Sequence, residues 1–203
     1  MGSKKILKFI GVAIVVIILV YSFVPTNTVS YQEKIEQHRA DIQDFFELDE
    51  ESPLPDSLKS KFVSLDYFDI DPAYKVRATL DRIPGNEIMK VPTSDGKVRE
   101  YSRYAYANFE LNGKNYRVTL LKPIDENSLF LPFGDLTNGS STYGGGRYID
   151  LETTTQNKIT IDFNLAYNPY CVYSAAYSCP LPPAENQLEV AIEAGELDFS
   201  GLN

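Results

Sequence analysis

The sequence from residue 133 to residue 150 reads Phe133-Gly-Asp-Leu-Thr-Asn-Gly-Ser-Ser-Thr-Tyr-Gly-Gly-Gly-Arg-Tyr-Ile-Asp150. A second run, Asp162-Phe-Asn-Leu-Ala-Tyr-Asn-Pro-Tyr-Cys171, follows it, and Cys179-Pro-Leu-Pro-Pro183 ends the region. We call the first run the glycine block and the second the asparagine block. Neither has the period of a helix or of a plain strand, and both are rich in residues that build shaped turns. The two blocks are therefore predicted to form shaped loops on a rigid support.

Short segments in which apolar and polar residues alternate lie on both sides of the blocks. Residues 74–80 form one such segment, with the pattern of a half-buried strand. Asp95-Gly96 and Asn112-Gly113 are typical of hairpin turns. Further strands are predicted at residues 87–91, 97–111, from 116 to 120, 129–133, 147–151, 159–163 and 188–192. Roughly eight or nine short strands indicate an all-β fold, an antiparallel sandwich or barrel.

Residues 31–46 are predicted to form one N-terminal amphipathic helix. Four apolar residues recur at helical spacing on one face of it: Ile35, Ile42, Phe45 and Phe46. Ser30 followed by Glu33 is the pattern of a capping box, in which each side chain bonds the other's backbone N–H. His38 is the single histidine, and its charged neighbours indicate a solvated surface position.

Residues 9–24 carry no charge and follow three lysines, Lys4, Lys5 and Lys8. With its flanking residues the run approaches the length of a membrane-spanning helix, about 20 residues. The positive flank predicts a single-pass membrane protein with its N-terminus in the cytoplasm and its domain outside, in the periplasm or at the cell surface. A cleaved signal peptide is the alternative, although no small-x-small cleavage site follows the run.

The chain is accordingly divided into three parts: residues 1–24 as anchor or signal, residues 25–60 as linker and helix, and residues 61–203 as an antiparallel β domain. Its formal net charge is −9, and residues 25–203 hold 16 basic and 28 acidic groups, a net −12. An acidic surface argues against nucleic acid as a partner. No cofactor is predicted, since Gly144-Gly-Gly-Arg147 lacks the Gly-Lys-Ser/Thr of a phosphate-binding loop.

Four runs resemble the motifs of a widespread bacterial domain family of unknown function: Thr142-Tyr-Gly-Gly-Gly-Arg-Tyr148, Asp162-Phe-Asn164, Ala166-Tyr-Asn-Pro169 and Cys179-Pro-Leu-Pro-Pro183. The segment from Tyr67 to Tyr74 is similar to an aromatic and Asp-Pro-Ala-Tyr run of the same family. The resemblance thus covers roughly residues 35–196. It implies a type of domain, but no activity, substrate or catalytic residue.

Four residues of the glycine block are candidates for binding a ligand: Asp135, Thr137, Tyr143 and Arg147. The glycines let the backbone approach a ligand closely, and the planar fork of Arg147 fits a carboxylate or a phosphate. In the structural alternative the glycines form a bulge and Arg147 pairs with a buried aspartate. Arg147 and Asp150 face opposite ways on a regular strand, so Asp135 or Asp162 is the better partner.

The asparagine block supplies four more candidates at the end of a predicted strand: Asp162, Asn164, Tyr167 and Asn168. Polar tips on a loop that a strand supports are typical of binding sites. Asparagine and aspartate side chains can equally satisfy the backbone groups of the loop itself. Both interpretations stay open for this block.

Cys171 and Cys179 are the two cysteines of the chain. Outside the cytoplasm a disulfide between them is the first expectation, and free buried thiols or a reactive pair are the alternatives. Two cysteines and one remote histidine do not make the spacing of a metal site, and none is predicted.

Three functions are compatible with these residues. In the first, a tyrosine-rich cleft near the blocks binds a small polar molecule or a glycan, because tyrosine combines an apolar face with a polar tip. In the second, the domain has a structural or envelope-assembly role. In the third, Asp135 and Asp162 act as the paired carboxylates of a hydrolase, so whether the protein is an enzyme stays open.

Overall fold

The structure is a computed structural model that describes residue 14 and residues 29–85 and 87–200. By its contacts the chain divides into two units, Met1–Lys34 and Ile35–Asn203. The predicted anchor at residues 1–24 lies, except for Ile14, outside the described residues. Among the residues that are described, no helix has the length and apolar character needed to cross a membrane.

The predicted amphipathic helix is present as α1, Tyr31–Leu48. The capping box at its start is confirmed, since the Glu33 N–H donates to Ser30 Oγ at 3.1 Å and the Ser30 N–H donates to Glu33 Oε2 at 2.6 Å. These two bonds satisfy N–H groups that a helix cannot pair internally.

The C-terminal half of α1 packs against the β domain. Phe46 lies in an apolar cluster with Leu54, Leu65 and Tyr173. The Gln43 side chain ties the helix to the following segment, because its Nε2 donates to the Val63 carbonyl at 3.0 Å. A single-turn helix, α2 (Asp56–Lys59), lies in this segment.

Within the described part of the chain, seven strands form one antiparallel sheet. They are β1 (Lys75–Arg82), β2 (Ile88–Pro92), β3 (Val98–Leu111), β4 (Lys114–Pro123), β5 (Ser128–Phe133), β6 (Arg147–Glu152) and β7 (Lys158–Asp162). The strand order is β6-β5-β4-β3-β1-β7, and β2 pairs with β3 beyond the end of β1. The glycine block connects β5 to β6, and the asparagine block follows β7.

The fold is mostly β and antiparallel, as predicted, and the sheet is curled into a half-barrel where a sandwich or barrel was expected. Its two outer strands in the order, β6 and β7, do not pair as a ladder. Instead the loop after β7 reaches β6: the Tyr148 N–H donates to the Tyr167 carbonyl at 2.9 Å, and the Tyr167 N–H donates to the Tyr148 carbonyl at 3.0 Å. One residue pair thus joins the two ends of the sheet and brings the two blocks side by side.

The main core lies against one face of the sheet, to which the strands contribute alternate residues such as Ala107, Leu120, Leu131 and Ile149. A smaller cluster lies on the other face: Val91, Tyr101, Leu121, Phe130, Tyr148 and Cys179. Successive side chains of a strand point to opposite faces, so the neighbours Tyr148 and Ile149 belong to different clusters.

A bulge in β3 decides which residues reach the second face. The register between β3 and β4 shifts between Arg103 and Ala105. Because one extra residue reverses the facing of a strand, Tyr101 lies in the smaller cluster while Ala105 lies in the main core.

The strand predicted at residues 188–192 is absent, and the prediction was wrong. Leu188 and Ile192 are buried as the alternation indicates, but their backbone groups pair with loops. The Leu188 N–H donates to the Gly134 carbonyl at 2.8 Å, and the Ile192 N–H donates to Asp135 Oδ1 at 3.1 Å. Residues 188–196 therefore form an irregular segment that packs over the start of the glycine block, and we call this segment the strap.

Candidate functional site

Arg147 is completely buried at the start of β6. Its Nη2 donates to Asp135 Oδ2 at 3.0 Å and to the Ile192 carbonyl at 2.8 Å. Its Nη1 donates to the carbonyls of Ala194 at 2.5 Å and Glu196 at 3.1 Å. Burial lowers the pKa of Arg147, and the Asp135 carboxylate opposes that shift. The guanidinium thus joins the glycine block to the strap at residues 188–196.

Both oxygens of the Asp135 carboxylate accept hydrogen bonds in the same network. Its Oδ1 accepts from the Thr137 N–H at 2.9 Å, from the Thr137 hydroxyl at 2.6 Å and from the Ile192 N–H at 3.1 Å. Thr137 Oγ1 lies in turn 2.8 Å from Thr142 Oγ1. These bonds fix the shape of the glycine block from inside the protein.

Gly146, the last residue of the glycine run, has no room for a side chain. Its φ is +86°, and a Cβ there would lie 2.6 Å from the Phe133 carbonyl oxygen and 2.6 Å from Pro182 Cγ. Only glycine fits such a backbone beside such neighbours. The glycine block therefore packs directly against the run Cys179-Pro-Leu-Pro-Pro183.

Asn186, just after that run, is a buried structural residue. Its Oδ1 accepts from the Thr119 N–H at 2.7 Å, and its Nδ2 donates to the carbonyls of Thr119 at 3.0 Å and Pro132 at 2.8 Å. Thr119 is in β4 and Pro132 is in β5, whose ladder contains the single pair Leu121–Phe130. The amide thus completes the join between two strands that barely pair.

The polar residues of the asparagine block also bind backbone groups. Asp162 Oδ1 accepts from the Asn164 N–H at 3.2 Å, and Asn164 Nδ2 donates to the Asp71 carbonyl at 2.8 Å. Asn168 donates from its N–H to Glu196 Oε2 at 2.8 Å and from its Nδ2 to the Leu197 carbonyl at 2.7 Å. The loop after β7 is therefore held to Asp71, which precedes the 3₁₀ turn Pro72–Tyr74, and to the strap.

A cleft of about 280 Å³ opens on the face of the sheet opposite the main core. Its wall is aromatic and we call it the tyrosine cleft: Tyr101, Phe130, Tyr148, Tyr167, Tyr170 and Tyr177. The charged residues on its wall are Arg99, Glu126 and Asp150. β3, β5 and β6 supply one side of the cleft, and residues 167–180 supply the other.

The rings of the tyrosine cleft support one another. The Phe130 ring stacks on Tyr101 with centroids 5.6 Å apart and meets Tyr148 edge to face at 4.8 Å. Tyr148 in turn meets Tyr167 edge to face at 5.8 Å, and its hydroxyl donates to the Pro180 carbonyl at 2.5 Å. A wall fixed in this way needs little ordering when a ligand binds, which favours affinity.

Asp150 is one of the two carboxylates on this wall, and Glu126 is the other. Asp150 follows Tyr148 by two residues on β6, so both point to the cleft while Arg147 and Ile149 point to the core. Its Oδ2 accepts from the Tyr167 hydroxyl at 2.7 Å. Asp150 is accessible to solvent, but the cleft walls still raise its pKa by desolvation; the Tyr167 bond lowers it, and nearby Glu126 raises it further.

A second cavity, of about 220 Å³, adjoins the tyrosine cleft and shares Asp150, Tyr167 and Tyr170 with it. His38 of α1 lies on its rim, and Glu196 lies on its wall. Burial raises the pKa of Glu196 to about 6, against the bonds that it accepts from the Tyr173 hydroxyl and the Asn168 N–H.

Cys171 and Cys179 lie next to each other at the edge of the tyrosine cleft. The Cys171 N–H points to Cys179 Sγ at 3.1 Å, and both residues are free thiols in the structure. Burial raises the pKa of the Cys179 thiol to about 12, which disfavours a reactive thiolate. The disulfide stays a prediction.

The eight predicted ligand-binding residues fall into three groups. Asp135, Thr137 and Arg147 lie in one buried network. Tyr167 lies on the walls of both cavities, Asn164 and Asn168 lie on the wall of the second, and Asp162 and Tyr143 lie on neither. Their role in binding stays a prediction. The sequence analysis missed Tyr148 and Asp150, which the alternation along β6 separates from Arg147.

Comparison with known proteins identifies the class of the domain. A family model described as a protein of unknown function, DUF1684, matches residues 60–197. The chain therefore belongs to the DUF1684 family. It is similar to the NMR structure of the uncharacterized protein from gene locus rrnAC0354 of Haloarcula marismortui, with 39% identity and a TM-score of 0.65 over 82% of this chain and 94% of that one. The comparison with curated proteins gives no match.

Proposed function

We propose that this domain binds a small polar ligand or a glycan in the tyrosine cleft. The observation that carries the proposal is the cleft itself, in which six aromatic rings and the Asp150 carboxylate line about 280 Å³. Aromatic faces pack on the apolar faces of sugar rings, and Asp150 and the hydroxyls of Ser128 and Ser178 offer hydrogen bonds.

The buried networks support the proposal because they position the wall of the cleft. Arg147 immediately precedes Tyr148, and Tyr167 immediately precedes Asn168. Arg147 and Asn168, which we call framework residues, thus each fix the backbone next to a ring of the cleft. In this account the glycine and asparagine blocks serve binding indirectly, by holding two tyrosines in place.

The paired-carboxylate hydrolase has less support. Asp135 bonds Arg147, Thr137 and Ile192 inside the protein. Asp162 accepts from the Asn164 N–H and lies 3.5 Å from Lys75 Nζ. Neither carboxylate lies on the wall of either cavity described above. A purely structural role accounts for the framework residues, but it does not account for the tyrosine cleft.

We also propose that residues 1–24 hold the domain at a membrane with residues 25–203 outside the cytoplasm. The uncharged run after three lysines supports this. The test is to digest intact cells or spheroplasts with protease. Loss of the domain with retention of a cytoplasmic marker is expected, and protection of the domain until lysis would contradict the proposal.

A thermal-shift screen of the full-length chain tests the binding proposal. The compounds are neutral sugars, amino sugars, polyols, small carboxylates and small amines. A ligand is expected to raise the Tm of the wild type, and Tyr177→Ala and Asp150→Asn should each reduce that rise, because a bound ligand stabilises the folded state alone. Asp125→Asn, an exposed carboxylate outside the cleft, is the matched control and should keep the full rise.

Two results would count against the proposal. One is the absence of stabilisation by any class of compound. The other is a ligand whose effect is the same in the wild type, Tyr177→Ala and Asp150→Asn, since such a ligand binds elsewhere.

A further inference from the structure

We propose that the ligand of the tyrosine cleft carries an organic ammonium group, which contacts the aromatic rings and has the Asp150 carboxylate as its counter-ion. The inference rests on the proposed function and narrows the ligand to a chemical class. The class includes quaternary ammonium compounds and protonated amino sugars, which offer the same positive group.

The charge of Asp150 points to a cationic ligand. Among the described residues, the ion pairs involve other carboxylates, and none includes Asp150. Its Oδ2 takes a neutral hydroxyl, that of Tyr167, and nearby Glu126 adds a second negative charge that raises its pKa. A carboxylate in a concave wall without a cation is complementary to a cationic ligand.

The one basic residue on the wall of the cleft does not cancel this charge. Arg99 lies at the Tyr101 end, where it lowers the pKa of Tyr101 against the effect of burial. Asp150 lies on β6 opposite Phe130 of β5, whereas Arg99 lies on β3 opposite Val91 of β2, several strands away along the sheet order. The Asp150 end of the cleft is therefore its anionic end.

The arrangement of the rings points to the same class of ligand. Phe130 meets Tyr148 edge to face, with ring planes at 72°, and Tyr148 meets Tyr167 at 87°. Tyr170 and Tyr177 form a further edge-to-face pair on the opposite side, at 76°. Aromatic rings set at steep angles to one another around one space are the arrangement of the aromatic cages that bind quaternary ammonium groups.

The experiment compares two pairs of ligands that differ in charge. Choline is paired with 3,3-dimethylbutan-1-ol, its neutral analogue, and glucosamine is paired with glucose. Dissociation constants are measured by calorimetry on the full-length chain at pH 7 and constant ionic strength. At least one cation is expected to bind tenfold or more tightly than its neutral partner; choline alone would indicate quaternary ammonium, and glucosamine alone an amino sugar.

The variants assign the effect to the carboxylate. Asp150→Asn is expected to reduce the preference for the cation to less than about threefold, Glu126→Gln should reduce it by a smaller factor, and Asp125→Asn should leave it unchanged. Equal binding of cation and neutral partner, or absence of binding by both cations, would overturn this inference. Stabilisation by neutral sugars in the thermal-shift screen would still support the proposed function, so the two failures can be told apart.

Discussion

Arg147 carries its guanidinium charge in the interior, where only its partners make the charge tolerable. Removing one member of a buried ion pair leaves the other uncompensated, which typically costs about 3–5 kcal/mol. We expect Arg147→Met to lower the free energy of unfolding by that amount in urea titrations. Arg117→Met is the matched control, since Arg117 pairs with Asp81 at the surface and such pairs contribute about 1 kcal/mol or less.

Equal losses in the two arginine variants would show that Arg147 is not a framework residue. A second outcome would have the same meaning: an Arg147→Met protein as stable as the wild type.

Gly146 is the residue of the glycine block whose side chain would have no room. Gly146→Ala places a Cβ against the Phe133 carbonyl and Pro182, in addition to the roughly 1–2 kcal/mol cost of a left-handed backbone. Gly96→Ala, also at positive φ but with open space around it, should show the backbone cost alone. Thermal and urea unfolding should therefore rank Gly146→Ala as clearly the less stable variant, and an equal or reversed order would contradict this account.

At the level of single residues, the sequence predicts the partner of Arg147 better than it predicts whether Arg147 is buried. Asp135 is one of the two partners expected for Arg147, and the alternation along β6 correctly separates Arg147 from Asp150. The alternation cannot tell which side is inside, because each side carries one charged and one apolar residue. Burial of the arginine depends on the carbonyls of the strap, which lie more than 40 residues away in the sequence.

Asn186 stabilises the join between two elements, β4 and β5. Asn186→Leu keeps the size of the side chain but leaves the Thr119 N–H and two carbonyls without partners, at about 1–3 kcal/mol for each buried group. We expect a loss of at least about 2 kcal/mol together with faster amide hydrogen exchange at Thr119. Asn115→Leu, at an exposed position of β4, should change stability by about 0.5 kcal/mol or less.

Unchanged exchange at Thr119 in Asn186→Leu would mean that the strand join does not depend on the amide. In that case the role of Asn186 would be limited to its own 3₁₀ turn, Ala184–Asn186.

At the level of elements, local patterns predict strands well where strands pair with neighbours in the chain. The two hairpin turns and the strands on either side of them are where Asp95-Gly96 and Asn112-Gly113 indicate. The pattern fails at residues 188–192, because alternation reports burial and not the partner of the backbone. The bulge in β3 leaves no clear mark in the sequence, yet it turns Tyr101 toward the cleft.

For the molecule as a whole, the raised pKa of Glu196 predicts how the free energy of unfolding depends on pH. Its pKa is raised from 4.5 to about 6, so the folded state keeps a proton that the unfolded state has lost. The stabilising contribution is complete below about pH 4.5 and is lost as the pH rises through about 6. The difference in pKa corresponds to roughly 2 kcal/mol.

The measurement compares the wild type with Glu196→Gln by urea unfolding at intervals from pH 4 to pH 7. As the pH rises, the wild type should lose roughly 2 kcal/mol relative to the variant, while effects of other groups cancel in the difference. A constant difference over this range would show that Glu196 titrates alike in both states.

The central claim is that the tyrosine cleft is the binding site and that the two blocks form its support. The most direct test is NMR of the full-length chain with its tyrosine rings isotopically labelled, as each stabilising compound of the screen is added. The account predicts that the ring signals of Tyr148, Tyr167, Tyr170 and Tyr177 shift, while that of Tyr116, which stacks on Phe109, stays in place. Shifts at Tyr116 with the cleft signals unchanged would contradict it.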